Sequence, residues 1–351
     1  MNDQAGRSPQ RPATALVADI GGSSARLALV DAAGVVGPET VFEVAAHPGP
    51  LAAIKSYLHH CGHPRIDRAV LAVAAPVGDG ERVTLTNAAW SFDRAELMSG
   101  LGFSELSLIN DFTALALSLP VLPASELRQL GGGLPAPVAP KALIGPGTGL
   151  GVSGLLPANG DWLPLSGEGG HVTLAASDMR EAEIIALARR EYPHVSAERL
   201  VSGSGLPLLH RLVCAVDRRE HQPLAAPAIV AGALAGDPAC RATLDVFCAF
   251  LGSLAGNLVL TLGARGGLYL GGGILPRLGG LLDASPFRQR FEAKGRFAGF
   301  LANVPAYVIL APAPALLGAA QLLSRTRHPG DKTGRTITET TPCPNPSTPP
   351  S

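Results

Sequence analysis

The chain has 351 residues, of which 46% are hydrophobic and 16% are charged. Such a chain can bury a large core, which excludes global disorder, and its length favours two domains of roughly 100–200 residues each. Its 28 Lys and Arg residues balance its 28 Asp and Glu residues, so it lacks the excess positive charge that binds nucleic acids and anionic membrane surfaces. We expect no nucleic-acid partner and no membrane partner.

The five cysteines are scattered along the chain and form no Cys-x-x-Cys pair. This pattern argues against a disulfide framework and a clustered zinc site, and it is typical of a reducing compartment. The first apolar run is not a signal peptide, because Asp19 interrupts it. We therefore expect a cytoplasmic protein.

Both ends of the chain differ in composition from the part between them. Residues 1–13 are polar and are predicted to form a disordered leader, and the proline-rich residues 328–351 a disordered tail. Two stretches without charge, 246–264 and 297–324, contain polar residues, glycines or prolines that continuous membrane-spanning helices rarely carry. We interpret both stretches as buried core.

Short apolar strands alternate with glycine turns and helical segments along the rest of the chain. Residues 15–18 and 26–30 flank a Gly-Gly turn and are predicted to form a hairpin. Further strands are predicted at 69–74, 107–109, 141–144, 152–156 and 268–270. Helices are predicted at 179–191, 206–213 and 242–262. This alternation predicts an α/β protein.

The first motif with chemical potential is the turn of the predicted hairpin. Asp19 ends a strand, Gly21 and Gly22 turn the chain, and Ser23 and Ser24 follow. Glycines let backbone N–H groups approach a phosphate closely, and Asp19 is placed to bind Mg²⁺ directly or through water. The alternative is a simple hairpin turn that the aspartate caps.

A second glycine loop, residues 145–151, lies between two predicted strands. It holds four glycines and Thr148, while Pro146 has no N–H to donate. The loop is neither a Walker A sequence nor a clean dinucleotide fingerprint. Together with a third glycine run at 271–273, the two loops predict a nucleotide held by repeated strand–turn elements.

The third motif is the Asn110–Asp111 pair, which follows an apolar strand. An amide can fix a sugar hydroxyl, and a carboxylate can accept the proton of that hydroxyl. The alternative is that Asp111 caps a helix beginning at Phe112.

Two further motifs carry candidate ligands for a polar molecule. Glu168 and His171 lie among three glycines, and Glu198 precedes Arg199. The first pair could be two hydrogen-bonding groups, a metal pair lacking a third ligand, or a solvated turn. Glu198 alone would more simply be a surface charge or a partner of Arg199.

These five motifs, in this order, resemble those of the bacterial glucokinase family of sugar kinases. The resemblance runs from about Leu16 to Leu323, with supporting stretches at 85–87, 90–92 and 287–297. It implies a two-domain actin-like (ribonuclease-H-like) ATPase fold with the active-site cleft between the domains. The small domain is expected at 14–120 plus about 312–327, and the large domain at 121–311.

The resemblance also implies an activity and residue roles. ATP, with Mg²⁺, would phosphorylate the 6-hydroxyl of glucose, and Asp111 would be the base. Relatives in this family are often dimers, so a homodimer is one of the expected states, although the sequence does not give the oligomeric state. The hexose would be bound by Asn87, Asn110, Asp111, Glu168, His171 and Glu198. ATP would contact Ala18, Asp19, Ile20, Gly21, Gly22, Ser23, Gly147, Thr148, Gly149, Gly272 and Gly273, with the metal at Asp19.

The chain departs from the family pattern at a few positions. Ser24 stands where relatives usually carry an amide, Ala88 and Ala89 precede Trp90 where relatives often carry a polar residue, and Pro146 replaces a small residue. The Cys-rich zinc motif of the related repressor/kinase family is absent from the sequence. The alternatives are a kinase for another hexose or amino sugar, a polyphosphate-dependent kinase, and a non-catalytic sugar-sensing regulator.

Overall fold

The computed structural model describes residues 13–75, 77, 82–85 and 90–325. The strands in this part of the chain are β1 (Ala13–Ile20), β2 (Ser24–Asp31), β3 (Thr40–Glu43), β4 (Arg68–Val73), β5 (Arg82–Thr84), β6 (Ser91–Asp93), β7 (Glu105–Asn110), β8 (Leu127–Gln129), β9 (Lys141–Pro146), β10 (Leu150–Ala158), β11 (Asp161–Ser166), β12 (Leu268–Leu270) and β13 (Ala306–Ile309). Ala13 therefore belongs to a strand and not to a leader, while the predicted tail and Asn87 lie outside the described residues.

The described residues also form helices. They are α1 (Pro50–His60), α2 (Arg94–Leu101), α3 (Asp111–Ser118), α4 (Met179–Ala188), α5 (Ala197–Leu200), α6 (Leu206–Val216), α7 (Ala226–Leu234), α8 (Pro238–Leu262), α9 (Leu275–Leu278), α10 (Gly280–Asp283), α11 (Phe287–Glu292), α12 (Ala298–Ala302) and α13 (Pro314–Arg325). The predicted helices at 179–191, 206–213 and 242–262 correspond to α4, α6 and α8, within a few residues at each end.

The strands form two large sheets, with β5 and β6 as a separate pair. The first sheet has the order β3-β2-β1-β4-β7, in which the β1–β2 hairpin is antiparallel, as predicted, and β1, β4 and β7 run parallel. The second has the order β11-β10-β9-β12-β13-β8, with an antiparallel β9–β10 hairpin and parallel β9, β12 and β13. The first sheet lies before residue 120 and the second after it, while the predicted domain boundaries stay a prediction.

The first sheet is buried on both faces. Strand β4 is apolar along nearly its whole length because parallel strands covered on both sides have no solvent face. One face packs with α1 and α2 through residues such as Ile54 and Leu97. The other face packs with the last helix, where Leu316 and Leu323 join Val17 in one cluster.

Helix α8 is the central helix beneath the second sheet. Asp237 caps it by accepting hydrogen bonds from the N–H groups of Ala239 and Cys240, and Gly263 ends it in a left-handed conformation. Its length and composition would allow it to cross a membrane, yet 72% of its most apolar window is buried inside the protein. Phe247 and Phe250 lie in the core, so the prediction of buried core for residues 246–264 is confirmed.

Two helices cross between the sheets. Helix α3 continues from β7 of the first sheet and packs against β10 and β11 of the second, whereas α13 follows β13 of the second sheet and packs against β1 and β4 of the first. The two helices touch each other where Gly318 meets the Ala114 carbonyl oxygen, and no methyl group would fit between them. The N-terminus of α3 is thereby fixed at the junction of the two sheets.

Candidate active site

Asn110 and Asp111 lie where β7 passes into α3. The Asn110 Oδ1 atom accepts hydrogen bonds from the N–H groups of Phe112 at 2.9 Å and Thr113 at 3.2 Å, so Asn110 is the helix cap. The alternative that Asp111 has this role is wrong, because Asp111 is already the first residue of the helix. The Asp111 side chain therefore does not act as the helix cap, and it lines a cavity.

The pKa of Asp111 is raised to about 6. Burial is the largest cause, since it disfavours the charged form, and the negative charge of Asp19 adds to it. A hydrogen bond from the Phe112 N–H, at 2.9 Å from Oδ1, acts in the opposite direction. A carboxylate with a pKa near neutrality can take a proton from a hydroxyl and still be ionised at pH 7.

Asp19 lies at the end of β1, beside the first glycine turn. Its side chain is one-fifth exposed, and burial raises its pKa, although the Arg26 guanidinium at 3.8 Å lowers it. No hydrogen bond from the described residues reaches its carboxylate, and Arg26 is shared with Glu39 at 3.9 Å. Such a carboxylate, short of partners and next to a phosphate-type turn, fits a hard cation like Mg²⁺.

Both glycine turns leave N–H groups free in the same way. The Gly21 N–H donates to the Ser24 carbonyl, and the Gly147 N–H donates to the Gly149 carbonyl, which closes each turn. Among the described residues, no acceptor pairs with the N–H groups of Gly22 and Ser23 in the first turn, or of Thr148 and Gly149 in the second. Consecutive free N–H groups form a concave donor site for an anion.

Glu198 braces the second turn. Its Oε2 atom accepts a hydrogen bond from the Leu150 N–H at 2.8 Å, and its carboxylate packs so closely on Gly149 that a side chain there would collide with it. Arg199 instead lies over the Tyr192 ring, 4.3 Å from its centre. The simpler interpretation of Glu198 as a surface charge or a partner of Arg199 is therefore wrong.

Glu168 and His171 are exposed, with Glu168 directly before a short 3₁₀ segment, Gly169–His171, and His171 at its end. The glycines between them are required by close packing, because a methyl group on Gly169 would collide with Val152 and one on Gly170 with the Leu150 carbonyl. This packing holds both side chains over the second turn.

Most of the predicted site residues line one cavity of about 310 Å³. The cavity contains Gly21, Gly22, Asn110, Asp111, Gly147, Thr148, Gly149, Glu168, His171 and Glu198. Ala18 and Ile20 are buried and point into the core, so only their backbone could serve a ligand. Asp19, Ser23 and Gly272 lie near the turns but do not line this cavity.

A second cavity, of about 780 Å³, opens on the other side of the same turn. Gly147, Thr148 and Ser204 line both cavities, and Gly273 lines the second as predicted for a nucleotide contact. Sequence reasoning missed its far wall, which consists of Ala226, Pro227, Val230, Ala231 and Leu234 of α7, together with Arg26 and Arg277. The sequence shows only an apolar run at residues 226–234, and such a run is equally typical of an ordinary core helix.

Among the residues that the structure describes, no group of three or more His, Cys, Asp or Glu side chains is arranged to hold a metal ion. An Mg²⁺ ion at Asp19 would need further ligands from outside these groups, and phosphate oxygens commonly supply them.

Comparison with known proteins assigns the chain to a family. The family model for glucokinase matches residues 16–326. A glucokinase of Chromobacterium violaceum is 51% identical over 310 residues, which are 88% of this chain and 89% of that protein. A glucokinase of Aromatoleum aromaticum is 51% identical over 315 residues, 88% of this chain and 94% of that protein.

A solved structure supports the same assignment. The crystal structure of a glucokinase from an Antarctic psychrotroph is 38% identical, with a TM-score of 0.79, over 89% of this chain and 98% of that one. The predicted fold class, an α/β actin-like (ribonuclease-H-like) ATPase fold, is confirmed by this match and by the two sheets. The chain belongs to the glucokinase family of sugar kinases.

Proposed function

We propose that this protein transfers the γ-phosphate of ATP to the 6-hydroxyl of glucose, with Asp111 as the base. The observation that carries the proposal is the position of Asp111, a carboxylate of raised pKa, in a cavity that joins a larger one at Gly147 and Thr148. The relatives named above support glucose as the sugar.

Glucose occupies the smaller cavity. Its hydroxyls meet an amide, an imidazole and two carboxylates, supplied by Asn110, His171, Glu168 and Glu198. A site made of several directional polar groups rejects sugars that leave any of them unpaired. ATP occupies the larger cavity, with its adenosine towards α7 and Gly273 and its phosphates at the free N–H groups of the two turns.

Asp111 accepts the proton as the sugar oxygen attacks the γ-phosphorus. The new bond joins that oxygen to phosphorus, and the bond from phosphorus to the β–γ bridging oxygen breaks, so that ADP leaves with the electron pair. Catalysis of this reaction depends mainly on positioning and charge stabilisation. The N–H donors belong to two folded turns, at Gly22 and Ser23 in the first and at Thr148 and Gly149 in the second. They need no rearrangement to meet the phosphates.

Asp19 is the residue that would hold Mg²⁺. When bound, the ion neutralises phosphate charge. Asp19 also keeps the pKa of Asp111 high through its own negative charge, so a cation at this position would lower the pKa of Asp111 and keep it ionised. A cytoplasmic location, which rests on the scattered cysteines and the interrupted apolar run, and a homodimer, which rests on the family resemblance, complete the proposal.

The test is phosphorylation by the purified protein across a panel of hexoses and amino sugars, with ATP or polyphosphate as donor. We expect ATP-dependent turnover that is highest with glucose. The variant Asp111→Asn should lose it, whereas Asp67→Asn, which changes an exposed carboxylate outside both cavities, should keep it. A different preferred sugar would change the substrate assignment only. Sugar binding without turnover from any donor would refute the enzyme and favour the regulator.

A further inference from the structure

Two histidine rings face each other at the C-terminal end of α1, far along the chain from every site residue. The His59 Nδ1 and His63 Nε2 atoms are 2.8 Å apart, and both side chains are exposed. His60 and Cys61 lie between them and are exposed as well. The kinase proposal makes no use of this pair, and neither ring lines a cavity of the active site.

The backbone beyond α1 is shaped so that the second ring folds back over the first. The Gly62 N–H donates to the His59 carbonyl at 3.0 Å, and the His63 N–H donates to the Leu58 carbonyl at 2.8 Å. Gly62 has a φ of 80° and His63 a φ of 55°. These two bonds close the C-terminal cap of α1, with Gly62 in the left-handed conformation that such caps require. Histidine is among the few other residue types that enter this conformation readily, which lets His63 follow the glycine.

The distance between the two nitrogens matches one edge of a metal coordination shell. Imidazole nitrogens bind first-row divalent metals at about 2.0–2.1 Å. Two such ligands at a right angle are therefore about 2.9 Å apart, whereas two ligands of a tetrahedral ion are about 3.3 Å apart. The observed 2.8 Å is also the length of the hydrogen bond that joins the two rings, so an ion would take the place of that hydrogen. Among divalent first-row ions, Ni²⁺ and Cu²⁺ bind imidazole nitrogens most tightly.

The hydrogen bond between the rings needs one donor nitrogen and one acceptor nitrogen, so one of the two presents a lone pair to the other. The nearest cationic side chain on the same helix is the exposed Lys55, one turn earlier. Its charge is screened by solvent and salt at the surface and weakens a cation site only modestly.

We propose that His59 and His63 form a two-ligand surface site for a divalent transition-metal ion of the nickel and copper type, with solvent completing the coordination. The ion would join the last turn of α1 to the segment that follows it. Because it binds the folded arrangement only, it would stabilise the folded protein without taking part in phosphoryl transfer.

The test is calorimetric titration of the full chain, free of any affinity tag, with NiCl₂. We expect one bound Ni²⁺ per chain and a rise in the unfolding midpoint. The variant His63→Gly should weaken binding by about tenfold or more, because the chelating second ligand is lost. Glycine suits the φ of this residue, so a loss of binding could not be attributed to misfolding. Sugar phosphorylation should be unchanged in this variant.

The control is His60→Ala, which removes an exposed imidazole from the same turn and should leave Ni²⁺ binding unchanged. In a Cys61→Ser background, which removes the thiol between the two histidines, Cu²⁺ should show an electron paramagnetic resonance spectrum with coupling to two nitrogens. Absence of Ni²⁺ binding, or equal binding by the wild type and His63→Gly, would refute the site. Loss of binding in His60→Ala alone would refute the assignment of the ligands.

Discussion

The two sheets of this protein have the same order over five strands, but the turns of their first hairpins, β1–β2 and β9–β10, present different groups. In each sheet a hairpin is followed by an antiparallel edge strand and two parallel strands. At matching places in the hairpins, the first sheet pairs Asp19 with Arg26, and the second pairs Gly145 with Gly151. The first turn therefore supplies charge as well as N–H groups, whereas the second supplies N–H groups and close packing.

The crossing helices show the same division. Helix α3 follows the last parallel strand of the first sheet and begins with the Asn110 cap and Asp111. Helix α13 follows the matching strand of the second sheet and begins with Pro314, which offers no polar side chain. A repeated architecture thus presents two equivalent helix starts, and only one of them carries an ionisable side chain.

The strongest test of this asymmetry replaces the first residue of α3 in one variant and the first residue of α13 in another. We expect Asp111→Asn to lower kcat by about 10²–10⁴-fold, because the general base is lost. Pro314→Ala, at the equivalent place in α13, should leave kcat within about twofold, since no reacting group is removed there. Steady-state kinetics with glucose and ATP would measure both. A similar loss in the two variants would mean that the helix starts act structurally.

The pH dependence of kcat/KM sharpens the comparison of the two turns. Asp111 must be ionised to act, so kcat/KM should fall about tenfold per pH unit below a midpoint near pH 6. Asp19→Asn removes the negative charge that is the second-largest cause of this raised pKa, and it should move the midpoint to lower pH. An unchanged midpoint would show that the charge of Asp19 does not raise the pKa of Asp111.

The contact between α3 and α13 has no room for an added methyl group, so a larger residue there should destabilise the protein. Gly318→Ala places a methyl group against the Ala114 carbonyl and should lower the free energy of unfolding by about 2–3 kcal/mol. Gly299→Ala in α12 adds the same methyl group into open space and should change it by less than about 1 kcal/mol. Urea denaturation would compare the two variants. Equal stabilities would indicate that the crossing is loosely packed.

The smallest expected effect is a gain in stability. The pKa of Asp111 is raised in the folded protein, so its ionisation destabilises the fold as pH rises from about 4 through 6. Asp111→Asn should therefore raise the free energy of unfolding at pH 7 by about 1–3 kcal/mol and have no such effect below pH 4. Denaturation at both pH values would measure this. A gain that persists at acid pH would have another cause.

Local patterns predicted a large part of the fold. The first hairpin, the strands at 69–74 and 141–144 and the buried helix at 242–262 were all visible as apolar runs with glycine punctuation. The pairing of strands into two matched sheets was not, because periodicity fixes which residues are buried and not which strands are neighbours. The α/β class followed from the alternation of strands and helices, whereas the actin-like fold came from the resemblance.

The candidate site divides in a similar way. Glycine turns and the Asn110–Asp111 pair were recognisable because their residue types are needed for anion binding and proton transfer. The bond from the Leu150 N–H to Glu198 joins residues far apart in sequence, and the wall formed by α7 depends on which face of an apolar helix meets a cavity. Both are consequences of tertiary packing, and neither has a local signature.

The contact between α3 and α13 has a consequence for biosynthesis. Val17 and Val70 are made early, yet the apolar cluster that they share is completed by Leu316 and Leu323. At about 5–20 residues per second, a ribosome that has finished β1 needs on the order of 15–60 s to reach this helix. Until then one face of the first sheet stays uncovered, and the helix that begins with Asp111 lacks its neighbour. The nascent chain therefore exposes an apolar surface that chaperones can bind until this helix is made.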